Sequence, residues 1–141
     1  VLRGLPEARH VLLPAGAGET WKDDRVVTTG FLSAAEMRNA FAAADLVLTA
    51  AGQTVAEVVA CGTAAITVET ADNQALNARG WAGTGATLHA GRIADSDWVA
   101  AVEDSISLVR DVEMRRRMQK VAKSMDLAGS TMRVARMVSQ S

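Results

Sequence analysis

The residues best suited to chemistry are Gly52-Gln53-Thr54, Glu57 and Asn73-Gln74. Their types suit holding a phosphorylated ligand. Gly52 has no side chain, so its backbone can come close to a ligand. The N–H groups of Thr54 and Val55 fall at the start of an expected helix. Donors there lack intrahelical partners, and the helix dipole favours negative charge. A pyrophosphate suits that spot; the plain alternative is that Thr54 caps its own helix. Glu57 is open to two readings as well. Its spacing from Thr54 is that of a capping box, yet a carboxylate one turn into a helix can accept two hydrogen bonds from a ribose diol. Asn73 and Gln74 follow Glu69-Thr70-Ala71-Asp72. Their amides can donate to phosphate or sugar hydroxyls, or Asp72 and Asn73 can serve only as helix caps.

Elsewhere the structural reading is preferred. His10 and His89 border apolar runs and have no Ser, Cys or Asp partner at telling spacing. Cys61 follows Val58-Val59-Ala60 and reads as a small buried hydrophobe. Arg115-Arg116-Arg117 reads as a solvated helix face, and Trp21, Trp81 and Trp98 as core or helix–sheet contacts. Pro14 to Gly18 is a flexible turn without a phosphate-loop pattern. The two histidines and one cysteine show no zinc spacing, so no metal is expected.

The elements that must position these groups alternate between strand and helix. Strands are expected at Val11–Leu13, Val26–Thr28, Leu46–Thr49, Ala65–Val68 and Thr87–His89. Ser33-Ala34-Ala35-Glu36 is a capping box, followed by an apolar stripe of helical period through Met37, Ala40, Phe41 and Ala44. Thr54–Cys61 has helical spacing and stops at Gly62. Asn73 is the expected cap of a helix over Gln74–Trp81, ended by Gly83 and Gly85. Asp95 or Ser96 caps a helix to Val109 with Trp98, Val102, Ile106 and Val109 on one face. Further helices are expected over Glu113–Met125 and Ser130–Val138. This order predicts an α/β fold: a Rossmann-like, mostly parallel sheet with helices on both faces. Both ligand-directed loops then lie beyond the carboxyl ends of strands.

Composition narrows the function classes. A formal charge of −1, from 15 basic and 16 acidic residues, argues against duplex nucleic acid as a partner. No apolar run is long enough for a membrane span, and no secretory leader is visible. A single cysteine fits a reducing compartment, so a cytoplasmic location is expected. The opening at Val1 reads as a piece of a longer chain.

The stretch from Ala44, ADLVLTAAGQTVAEVVACGTAAITV, with ADNQALNARGWAGTGA after it, resembles the carboxyl-terminal domain of GT-B-type nucleotide-sugar enzymes. It looks closest to the UDP-sugar hydrolases of pseudaminic acid biosynthesis, a group that includes spore-coat polysaccharide biosynthesis proteins. It is also similar to the UDP-N-acetylglucosamine transferase that makes lipid II. The pattern runs from about Phe31 to Ala86, and Asp126-Leu127-Ala128-Gly129 with Arg133-Val134 resembles the close of the hydrolase group.

The resemblance implies the C-terminal half of a GT-B fold that binds a UDP-sugar as substrate, with no cofactor. Gly52, Gln53 and Thr54 would contact pyrophosphate. Glu57 would hold the ribose hydroxyls, and Asn73 and Gln74 would face phosphate or sugar. The backbone of Phe31-Leu32 would read uracil. Gln53 departs from the family's small serine, which crowds the loop. Thr63-Ala64 stands where the family has a small residue and proline. The family's first strand with its Gly-rich loop, and its whole amino-terminal domain, are missing from this chain. In the hydrolases that missing domain supplies a histidine expected to activate water. The full protein is therefore expected to be a UDP-sugar hydrolase. The alternatives are a UDP-sugar glycosyltransferase and a non-catalytic nucleotide-sugar-binding domain. No catalytic residue is assigned within residues 1–141, and this piece alone is expected to be inactive.

Overall fold

The computed structural model describes residues 10–12 and 24–127. The turn at Pro14 to Gly18, Trp21 and the helix expected at Ser130–Val138 lie outside them. Strands β1 (His10–Leu12) and β2 (Val26–Thr28) form a parallel pair. Helix α1 (Ala34–Ala43) leads to β3 (Val47–Ala50), then α2 (Thr54–Ala60) and β4 (Ala65–Glu69). A short 3-10 turn over Asp72–Gln74 runs into α3 (Ala75–Thr84), followed by β5 (Thr87–Arg92), α4 (Trp98–Val109) and α5 (Val112–Ser124). β3, β4 and β5 make a three-stranded parallel sheet with β4 in the middle. Every described pairing is parallel, as the strand–helix alternation requires.

The central strand explains the layers. Every residue of β4 is buried, as expected for a strand covered on both faces. Ile66 and Val68 pack with Val102, Ile106 and Val109 of α4 and Met118 of α5. Their neighbour Ala65 points the other way, to Phe41 of α1 and Val58 of α2. Val55 and Val59, on another side of α2, meet Ala86 and Ala122. Full burial of a side chain such as Ile66 is worth about 1.5–3 kcal/mol. Cys61 is half-buried against the Phe41 cluster, less enclosed than expected.

The capping box on α1 forms. Glu36 N–H donates to Ser33 Oγ at 3.3 Å, and Ser33 N–H donates to Glu36 Oε2 at 2.8 Å. The Ser33 hydroxyl, then its backbone N–H, hold the Glu36 carboxyl below its ordinary value. A lowered folded pKa means the box favours the helix at neutral pH. That support fades as pH falls through the lowered value.

Three local expectations are corrected. Helix α4 starts after Asp97, and no side chain caps it. Asp95 instead accepts from the Arg92 N–H in the preceding turn, at 3.3 Å. Arg115 is not merely solvated: its guanidinium donates to the carbonyls of Val109 (2.5 Å) and Arg110 (3.1 Å), at the carboxyl end of α4. Such a cation satisfies carbonyls that the helix leaves unpaired. Gly83 lies inside α3, and Gly85 ends that helix in the left-handed region.

Gly62 turns the chain from α2 into β4 with φ +74°, and a Cβ there would lie 2.7 Å from Lys123 Cγ. Gly62→Ala is therefore expected to cost about 1 kcal/mol of stability from the left-handed backbone, seen as a lower urea midpoint. An unchanged midpoint would contradict this role. Among the described residues, no helix is long and apolar enough to cross a membrane.

Candidate functional site

The loops after β3 and β4 leave neighbouring parallel strands on the same edge of the sheet and border one pocket of about 560 Å³. Its apolar lining comes from Ala51, Ala56 and Trp81, and its polar lining from Gln53, Glu57, Asn73, Gln74 and Asn77, with Gly52 between. The crevice beyond the carboxyl ends of parallel strands is where open α/β sheets take ligands.

Each loop is held from behind. Ala51 is buried, and its N–H donates to the Val68 carbonyl at 2.9 Å, extending the ladder one residue past β3. Asn77, on α3, donates from Nδ2 to the carbonyls of Ala51 (2.7 Å) and Gly52 (3.0 Å). One amide thus grips the turn from the facing helix. Gln74 braces its own loop, with Oε1 accepting from the Thr70 N–H (2.9 Å) and hydroxyl (3.3 Å). That leaves Gln74 Nε2 over the first loop, 3.8 Å from where a Cβ on Gly52 would stand.

The capping readings are corrected. Gln53 takes the N-cap position of α2, and no side chain bonds there, so Thr54 and Glu57 form no capping box. No described carbonyl accepts from the N–H of Gln53, Thr54 or Val55. Glu57 is exposed at the pocket. Asn73 does not cap α3: it lies within the 3-10 turn, and the helix starts after Gln74 without side-chain capping. Asp72 does not cap either; it pairs with Arg92. The pocket therefore meets a carboxylate and amides that the fold does not use for capping.

Of the residues singled out in the sequence, Gly52, Gln53, Glu57, Asn73 and Gln74 share the pocket. Thr54 is half-buried at the start of α2 and does not line it. Phe31 and Leu32 do not line it; they lie in the segment between β2 and α1, where Phe31 is 97% exposed and Leu32 half-buried. Asn77 and Trp81 line the pocket without having been singled out for it. The signal is the helical spacing of Gln74, Asn77 and Trp81, from the cap of α3 into the helix. His89 has a structural partner, Glu69, at 3.0 Å. Among the described residues, no cluster of His, Cys, Asp and Glu could hold a metal ion.

No protein-family model matches the chain, and no curated protein matches it. Among solved structures, the glycotransferase of kitacinnamycin superposes with a TM-score of 0.73 at 20% identity. The match covers 97% of this chain and 36% of that one, so the chain spans little more than a third of that protein's length. At this identity the likeness shows the fold: a Rossmann-like α/β domain of the GT-B type.

Proposed function

We propose that this chain is the UDP-sugar-binding half of a nucleotide-sugar enzyme. One observation carries the reading: the loops after β3 and β4 meet in a single pocket with Glu57, Asn73 and Gln74 turned to it. Its volume of about 560 Å³ is in the range that takes a small ligand. In this reading the diphosphate meets the Gly52–Thr54 backbone and the amides of Asn73 and Gln74. Glu57 accepts from the ribose hydroxyls. Uracil is read by the backbone at Phe31-Leu32, in the segment that follows β2.

The reaction of the whole enzyme is hydrolysis of the pseudaminic-acid-pathway type. A water oxygen bonds to the anomeric carbon as the bond from that carbon to the phosphate oxygen breaks. The electron pair leaves with UDP, and the proton of water goes to a base supplied by the rest of the polypeptide. The part played by this chain is to stabilise charge growing on the departing phosphate with preorganised N–H donors. The likeness to a glycotransferase favours a second reading, in which an acceptor hydroxyl replaces water. The donor half would work identically in both. We place the enzyme in the cytoplasm, in keeping with the single cysteine of this chain.

Calorimetric titration tests the shared step. The chain is expected to bind UDP with Kd on the order of 0.1–1 mM, or about −4 to −5.5 kcal/mol, and to turn over no UDP-sugar by itself. Absence of UDP binding at millimolar concentration would reject the reading. Rapid sugar release by residues 1–141 alone would show that the division of labour is wrong. UDP release by the full polypeptide without an acceptor separates hydrolysis from transfer.

A further inference from the structure

An ion-pair chain runs from the sheet to the pocket loop. Glu69 ends β4, with only 5% of its side chain exposed. Burying a carboxylate is costly unless it is paired. Here Oε1 lies 3.0 Å from His89 Nε2, and Oε2 lies 3.6 Å from Arg92 Nε. A shift in the β4–β5 register between Thr67 and Glu69 brings Glu69 opposite Arg92. The same guanidinium then reaches outward to pair with Asp72. Asp72 is the first residue of the turn that carries Asn73 and Gln74 to the pocket. A planar guanidinium can serve two carboxylates from two edges; a lysine ammonium lacks that fork.

We propose that Arg92 is a positioning residue for the pocket. It ties Asp72 to the buried Glu69 and so holds the Asp72–Gln74 turn in place. Arg92 itself does not line the pocket. The consequence for ligand affinity rests on the nucleotide-sugar reading; the tie does not.

Hydrogen exchange and UDP titration on the same proteins separate the two. In Arg92→Ala and Asp72→Ala, amides across 70–75 are expected to exchange roughly two- to fivefold faster, the scale of an exposed ion pair. Amides across 53–58 should stay at the wild-type rate. UDP affinity should fall by a similar factor in each variant, with no further loss in the double variant and partial rescue by Arg92→Lys. Asp72→Ala keeps the Glu69–His89–Arg92 contacts, so it reports even if Arg92→Ala fails to fold. Wild-type exchange across 70–75 in Asp72→Ala would overturn the proposal, whatever UDP does. So would faster exchange with unchanged UDP affinity, if Glu57→Ala binds more weakly in the same assay. Faster exchange in variants of a protein that binds no UDP would uphold the tie and remove the nucleotide-sugar reading.

Discussion

Replacing Glu57 by alanine is expected to weaken UDP binding about ten- to a hundredfold while leaving the fold almost untouched. Hydrogen bonds to a charged group are worth about 1.5–3 kcal/mol, and a ribose diol would offer two to this carboxylate. Stability should change little because Glu57 is exposed and forms no capping box with Thr54. What it gives the fold is a favourable charge in the first turn of α2, worth about 0.3–1 kcal/mol. Glu57→Gln should fall between, since an amide still bonds a hydroxyl but without the charge. Calorimetry with UDP and a urea melt on each variant would read the two effects separately. A loss of stability with unchanged affinity would turn Glu57 back into a helix-start residue.

Asn77→Leu is expected to reduce both quantities. The leucine has similar bulk but cannot donate, so the carbonyls of Ala51 and Gly52 lose the bonds they accept from Nδ2. Ala51 is fully buried, and an acceptor left unpaired there costs about 1–3 kcal/mol. The turn it frees is the one proposed to hold the diphosphate, so UDP affinity should fall several-fold at 25 °C as well. Asn77→Asp should be at least as harmful: it keeps the shape but sets carboxylate oxygens against carbonyl oxygens. Denaturant midpoints and UDP titrations check both. If Asn77→Leu leaves the midpoint within error, the grip on the turn is not what stabilises it.

The fold was legible because strand and helix periods alternate cleanly and β4 is a short apolar run between two turn signals. Burial on both faces follows from that pattern, and so does the parallel order. Ser33 and Glu36 were also legible, since a capping box is a purely local bond pattern. The juxtaposition of Gly52, Gln53 and Glu57 with Asn73 and Gln74 followed from topology alone, because parallel neighbours put their exit loops on one edge. What failed were most of the helix caps, where side chains found other partners or none. Asp72 turns to Arg92, twenty positions away in sequence, and Asp95 serves the turn after β5. Asn77 looked like an ordinary polar helix residue because its two acceptors lie 26 and 25 residues earlier in the chain. Arg115 looked solvated because the carbonyls it reaches belong to the preceding helix. Trp81 packs on the Val55–Val59 cluster, as its reading as a core contact expects, and it lines the pocket as well.

The most direct measurement is a UDP titration of the isotope-labelled chain followed by amide and side-chain chemical shifts. Saturable shifts are expected first at Gly52, Gln53, Thr54 and Glu57, at the side-chain amides of Asn73, Gln74 and Asn77, and at the Trp81 indole N–H. The Trp98 indole, packed on the opposite face of the sheet, should stay still. Saturable shifts confined to other surfaces, or none at millimolar UDP, would contradict a nucleotide site between these two loops.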